Sequence, residues 1–318
     1  MSQGTVRPLN VGLHYQFFEG TMTGHTPRWN DLQAIVRHAE AVGFHLISIP
    51  DHLIFDVGET DKPPVGIWEC WSVLAALAAV TTRIQLATEV VCTSFRNPAL
   101  LAKMADTVDE ISGGRLILGL GAGYHQLEFR AFGYPFDHLI GRFEEALQII
   151  HSLLRTGQVD FQGQYYQARD CELRPRGPTA GGPPIMIGAR PDRPRALRLA
   201  AQYADYWNML PVNRVEDVAP LRAAVDAACA KAGRDPTTLK RTITALVDMP
   251  GSETDPAVGG FARWRAHRVP ATGTPEQLAS LLRGFAHEGV DHVQISLEPP
   301  TMAGIDAFAP VLELLDKV

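Results

Sequence analysis

Short apolar runs alternate along the chain with longer segments whose apolar residues recur at helical spacing. Residues 10–15 form the first run and predict a strand. Residues 28–42 follow, with Leu32, Ile35, Val36 and Ala39 on one side, and predict a helix stopped by Gly43. Residues 44–49 are apolar almost throughout, as a strand covered on both faces must be. Residues 69–80 then predict a helix and 83–88 a third strand.

The stretch 95–133, FRNPALLAKMADTVDEISGGRLILGLGAGYHQLEFRAFG, carries the most information. Asn97 is placed to cap a helix, and Pro98 sits in its first turn, where a missing N–H costs nothing. Leu100, Leu101, Met104, Val108 and Ile111 form its expected apolar face. Gly113 and Gly114 end it, because glycine accepts the left-handed conformation of a helix exit. Residues 116–120 predict a fourth strand, which leaves through glycines and lets a ligand approach the backbone closely.

The alternation continues with a helix at 139–154, a strand at 185–188, a helix at 193–203 and a strand at 205–210. A helix at 215–232 and a strand at 242–249 come next. Thr274-Pro275-Glu276-Gln277 predicts a capping box opening a helix to Glu288, followed by a strand at 292–297 and a last helix at 305–317. About eight strand–helix units in succession predict parallel strands and a closed (β/α)8 TIM barrel, with an open doubly wound sheet as the competitor. With no composition break to mark a linker, residues 1–318 are expected to form a single domain.

Long segments interrupt the rhythm at 17–27, 54–67, 156–184 and 250–273. Segments of this length often line sites. Three of them follow strands and are expected at the C-terminal mouth as lids or walls. The segment 156–184 follows a helix and is expected at the opposite end. Aromatic residues Phe17, Phe18, Phe55, Trp68 and Trp264, on or beside the mouth segments, either line an apolar pocket or simply pack the lids.

Composition narrows the function. The chain has 318 residues, 46% of them hydrophobic, and a net charge of −6, which offers no bulk attraction to nucleic acid or to an anionic membrane. No apolar window of membrane-spanning length and no signal core is present, and the four scattered cysteines read as reduced thiols of a cytoplasmic protein. The 11 histidines form no HExxH or other ligand spacing, so no metal is expected, and neither a GxSxG elbow nor a Walker loop occurs.

Asp51-His52 stands directly after the second strand, where barrel enzymes keep their chemistry; an Asp beside a His there either handles a proton or is a plain loop dipeptide. Gly119-Leu120-Gly121-Ala122-Gly123 lacks the GxGxxG spacing of a dinucleotide fingerprint, but with Tyr124 and His125 it suggests backbone packed against a flat ligand. Arg190, Arg193 and Arg195, at the start of a predicted helix, are either an anion site or a solvated charged face.

Four segments taken together resemble the bacterial luciferase-like superfamily of flavin and deazaflavin oxidoreductases. They are GFHLISIPDH (43–52), the stretch 95–133, PPIMIGA with RALRLAAQYADYWN (183–208), and GTPEQLASLLRGFAHEGVDHVQISL (273–297). Within it, FQGQYYQARDCELRPRGP resembles the branch that uses the deazaflavin coenzyme F-420. The resemblance implies a luciferase-like barrel with its cofactor at the C-terminal face. It places Asp51 and His52 beside the ring as catalytic residues. It implies a bulge after the third strand with a cis peptide at Glu89-Val90, beside which Thr88 and Cys92 line the ring. Ala122, Gly123 and Tyr124 would contact the ring or its side chain, and Gly188, Ala189 and Arg190 would hold the phosphate.

The chain departs from the family at three points. GARPDRP replaces a glycine-rich run after the fifth strand, which shifts phosphate binding towards Arg190 and Arg193. Tyr124 replaces the glutamate of the sugar-phosphate dehydrogenases. Cys92 stands where a hydroxyl residue is common. The expected function is hydride transfer between coenzyme F-420 and a small-molecule substrate. The alternatives are an FMN-dependent monooxygenase using oxygen and a non-catalytic ligand-binding barrel. The resemblance also implies a homodimer joined through outer helices.

Overall fold

The computed structural model describes residues 7–22, 24–56, 63–209, 211–249 and 269–317. In chain order its first half holds β1 (Asn10–His14), α1 (Trp29–Val42), β2 (Leu46–Ile49), β3 (Ile54–Phe55), β4 (Val65–Gly66), α2 (Cys70–Val80), β5 (Gln85–Thr88), β6 (Val91–Cys92), α3 (Pro98–Ser112) and β7 (Leu116–Gly121). Next come α4 (Gln126–Phe132), α5 (Leu139–Thr156), β8 (Gln158–Gln162), β9 (Gln167–Glu172), β10 (Ile185–Gly188) and α6 (Pro194–Tyr203). The chain closes with β11 (Tyr206–Met209), α7 (Val218–Lys231), β12 (Lys240–Asp248), α8 (Pro275–His287), β13 (His292–Glu298) and α9 (Met302–Leu315). The segment 250–268, with Trp264 and most of one expected lid, lies outside the described residues.

Eight strands, β1-β2-β5-β7-β10-β11-β12-β13, pair in parallel, and the ring closes where β13 returns beside β1. The expected (β/α)8 barrel is therefore the fold. The local signals explain its edges. The Asn97 side chain accepts the N–H groups of Ala99 and Leu100, and Gly113 ends α3 at φ 69°. Thr274 and Gln277 form the capping box of α8.

Two cores result. The larger fills the space between strands and helices. The smaller lies inside the barrel, where Leu46, Ala87, Ile117, Met186 and Tyr206 pack beneath Val90. Gly119 is required here: a Cβ at that position would stand 1.9 Å from the Thr88 carbonyl oxygen. The Thr88 hydroxyl bonds both the N–H and the C=O of Gly119 at 2.9 Å, replacing ladder bonds where β5 departs from β7.

Two expectations need correction. Leu100 and Ile111 are 54% and 44% exposed, and α3 instead buries Leu101, Ala102, Ala105 and Val108. The small Ala102 and Ala105 fit where α3 packs between α2 and α5, so the contact stripe is rotated from the large residues. The segment 156–184 does not stay at the far end. It folds into the antiparallel β8–β9 hairpin, which runs back along α5, where Glu145 accepts the N–H groups of Gln164, Tyr165 and Tyr166. Its strands are mostly polar, which hid them from a search for apolar runs.

Candidate active site

The C-terminal ends of the strands carry a floor with two unlike halves. Val90 covers one half, above β7 and β10. A Cβ on Gly121 would come within 2.7 Å of Val90 Cγ2, so this glycine leaves room for the valine, and Gly188 lies beneath it at ordinary contact distance. Glu89 occupies the other half. Its side chain is 6% exposed and turned into the barrel. One oxygen accepts the Ser48 hydroxyl at 2.5 Å and lies 3.2 Å from His14 Nδ1. The other accepts the Thr244 hydroxyl and the Asn208 amide, the latter at 3.3 Å. The Glu89–Val90 peptide is cis, as the family resemblance implied.

Burial alone would raise the Glu89 carboxyl. The facing His14 and the hydroxyl donors outweigh it and hold the group below the ordinary carboxylate range. An ionised carboxylate therefore lies within the floor.

His52 lies on the rim with its imidazole held at both nitrogens. Nδ1 is 3.0 Å from Glu128 Oε2, and Nε2 is 3.4 Å from the Tyr124 hydroxyl. Glu128, on α4, is 1% exposed; it also accepts the Leu53 N–H and faces His125 Nδ1 at 3.3 Å. Burial opposes the charge of Glu128, but the hydrogen bonds from His125, His52 and Leu53 bring its pKa down to about 2. Its acceptor-only state fixes the proton of neutral His52 on Nδ1 and leaves Nε2 as acceptor for Tyr124. Tyr124 is exposed as a whole, yet crowding around its inner side and the Glu128 charge push the phenol up to about 12. It stays protonated at neutral pH. Phe55 stacks on His125 with centroids 4.8 Å apart, and Phe18 packs on Phe55 at 5.5 Å, forming an apolar wall.

The depressed Glu128 pKa has a consequence for stability. The unfolded carboxyl takes up its proton near 4.5 and the folded one near 2, so the contribution is complete above 4.5 and drains as pH falls towards 2. The gap in melting temperature between wild type and Glu128→Gln is expected to be widest above that window and to close towards its lower end. A gap independent of pH would contradict the assignment.

Asp51 does not partner His52. It is 4% exposed and turned the other way, accepting Arg96 at 2.7 and 2.9 Å and the Cys92 N–H at 3.0 Å. Arg96 also reaches Glu69 at 2.6 Å, tying the loop after β2 to the start of α2. Burial pushes the Asp51 carboxyl up against the opposing pull of the Arg96 guanidinium, and Glu128, not Asp51, stands beside His52. Thr88 is also displaced from its expected role: it is fully buried in the wall and satisfied by Gly119. Burial, then the charge of Asp51, raise the Cys92 thiol, which packs against Gly123, where a Cβ would stand 2.4 Å from the sulfur.

Beyond β10, the Ala189 carbonyl accepts the Trp207 indole N–H at 2.8 Å. Arg190 is exposed and paired to Asp192 at 2.9 Å, with Arg193 3.9 Å from the same carboxylate. Arg193 is the N-cap residue of α6 and caps it with no side-chain bond, so the helix start remains open to an anion. Arg195 instead pairs with Glu144, which removes it from the expected anion site.

Residues 9–253 match the family model described as luciferase-like monooxygenase. The chain belongs to that family. Among the luciferase-like proteins it is 32% identical over 310 residues to a pyrimidine monooxygenase RutA of Stutzerimonas stutzeri, covering 92% of this chain and 82% of the relative. It is 31% identical over 268 residues to the RutA of Cronobacter sakazakii, covering 79% and 75%. Its fold matches the long-chain alkane monooxygenase LadA with a TM-score of 0.77 at 14% identity, over 97% of this chain and 92% of that one. It also matches an F420-dependent secondary alcohol dehydrogenase with a TM-score of 0.76 at 17% identity, over 96% and 99%. Like its luciferase-like relatives, the protein is an oxidoreductase. No helix among the described residues is long and apolar enough to cross a membrane.

Glu128, Arg96 and the donors around Glu89 escaped sequence reasoning. Glu128 sits in QLEFRAF, a short helix with no strong periodic signal. The spacing of His125 and Glu128, three apart in the loop-to-helix turn after β7, was the available clue.

Proposed function

We propose that this oxidoreductase is a monooxygenase that uses reduced FMN and oxygen on a small organic substrate at the C-terminal mouth of the barrel. The observation that carries the proposal is the divided floor: an apolar Val90 half with adjacent glycines, and a polar half built on Glu89. A flat ring with one hydrocarbon end and one polar end suits it. The relatives named monooxygenases support FMN over the deazaflavin, because a deazaflavin moves hydride without usefully activating oxygen. The segment that resembled the F-420 branch folds as the β8–β9 hairpin on the outside of the barrel against α5, so that likeness does not bear on the ring site.

The residues present fit the group. Val90 would support the ring, and the backbone of Gly121, Ala122 and Gly123 would pass close to it. Arg190 and Arg193 would exchange Asp192 for the phosphate at the start of α6. FMN, when bound, supplies the electrons and the site of oxygen activation. The chain supplies orientation, water exclusion by Phe18 and Phe55, and proton handling. His52 Nε2 is free to receive the Tyr124 proton as the Tyr124 oxygen takes one from the substrate, and Glu128 stabilises the imidazolium that forms. The name of the relatives makes a pyrimidine the first class of substrate to test.

Anaerobic titration with reduced FMN and with reduced coenzyme F-420, followed by admission of oxygen, tests the proposal. FMN binding with oxygen uptake is expected. Binding of the deazaflavin alone would replace it with hydride transfer, and binding of neither would favour the non-catalytic barrel.

A further inference from the structure

Glu89 stands apart from the rest of the floor. Barrel interiors are usually filled by apolar side chains, and below Glu89 the apolar Leu46, Ala87, Ile117, Met186 and Tyr206 cluster, with the Thr242 hydroxyl against Met186. A carboxylate placed above them costs desolvation free energy, which only a full set of donors offsets. The set is present and comes from four strands: His14 on β1, Ser48 on β2, Asn208 on β11 and Thr244 on β12. Of these, β1 and β12 lie on the far side of the barrel from β7 and β10, above which Val90 sits, while β11 adjoins β10 and β2 adjoins β5. Asn208 is itself oriented by the Thr242 hydroxyl at 3.0 Å, and His14 by Ser48 at 3.0 Å. Every donor is thus aimed at one carboxylate, and Val90 follows that carboxylate in the chain.

We infer that Glu89 is the positioning residue of the cofactor floor. Its side chain ties the Glu89–Val90 bulge to the opposite wall of the barrel, and its negative charge sets the potential at which a flavin resting there is reduced. The inference rests on the proposal that a flavin binds at this mouth. Two physical effects are involved. The four-strand tether fixes where Val90 sits, so its loss should loosen the seat of the ring. The charge is independent of the tether: adding electrons above a fixed anion is disfavoured, so removing the charge while keeping the shape should ease reduction. A side chain that merely staples the fold would show neither effect on the bound group.

The test uses the intact protein, with FMN as the probe. Wild type, Glu89→Gln and Glu89→Ala are compared by FMN titration, by spectroelectrochemical potential of the bound FMN, and by thermal melting. Glutamine keeps the shape and one acceptor oxygen, and the hydroxyl beside its amide can turn to accept, so Glu89→Gln is expected to bind FMN with Kd within about threefold of wild type. Its midpoint potential should rise by the equivalent of about a tenfold change in the two-electron equilibrium, ~30 mV. Glu89→Ala is expected to raise the FMN Kd by about tenfold or more. An unchanged potential in Glu89→Gln would overturn the inference. So would wild-type FMN affinity in a folded Glu89→Ala with a lowered melting temperature, which would leave Glu89 a staple of the fold alone. If wild type itself binds no FMN, the underlying proposal fails and the inference fails with it. That outcome is distinct, because it appears before any variant is compared.

Discussion

Asp51→Ala is expected to unfold at a much lower temperature than wild type while keeping the cofactor affinity of the fraction that remains folded. The substitution removes the bidentate partner of Arg96, whose guanidinium is only 11% exposed. Burial works against the charge of Arg96, but Asp51 and Glu69 hold it firmly protonated, above the ordinary arginine value. The guanidinium cannot neutralise itself when the carboxylate is gone, and the Cys92 N–H loses its acceptor as well. Breaking a buried pair from one side costs about 3–5 kcal/mol. For a chain of 318 residues, at roughly 1.5 °C per kcal/mol, this corresponds to a fall of about 5–8 °C. Calorimetric melting checks it. A small change in melting temperature with a large loss of turnover would instead restore Asp51 to the catalytic role that its position after the second strand suggested.

His52→Ala gives the opposite signature. Its ring is part-exposed on the rim, and its two polar contacts serve Glu128 and Tyr124, not the core. FMN affinity is expected to change little and the melting temperature to fall only modestly, because the Leu53 N–H still bonds Glu128 and His125 still faces it. Turnover is expected to fall by about 10²-fold, the scale of one positioned proton-transfer group. The solvent deuterium isotope effect should persist or grow, since the Tyr124 proton then has only water to go to and its transfer limits the rate. Stopped-flow measurement with reduced FMN in H2O and D2O separates the cases. An unchanged rate would remove His52 from the mechanism and leave Tyr124 facing bulk water as its only exchange partner.

The barrel was legible because its signals are local. Apolar runs, the Asn97 cap, the paired glycines after α3 and the Thr274 box each act within a few residues, and each is found in place. The position of His52 was legible for the same reason, since a residue just beyond a barrel strand must face the mouth. What Asp51 and His52 bond to was not. Neighbours in sequence point to opposite sides of an extended segment, so Asp51 and His52 cannot share one partner set. Asp51 meets Arg96 and His52 meets Glu128 across 45 and 76 positions of chain. The Glu89 network spans up to 155 positions, from Glu89 to Thr244, and no local pattern encodes it. Leu100 and Ile111 misled because helical spacing gives the period of a face but not which of two adjacent stripes a neighbour covers.

The central claim is that a reduced flavin rests on the Val90 side of the floor. The most direct measurement is an anaerobic titration of reduced FMN into wild type and Gly121→Val, followed by tryptophan fluorescence. A side chain at position 121 would drive into Val90, its Cβ already 2.7 Å from Val90 Cγ2, and would disturb the seat of the ring. Saturable binding to wild type, weakened by about tenfold or more in a folded Gly121→Val, is the expected result. Equal affinity in both proteins would place the flavin elsewhere and contradict the account.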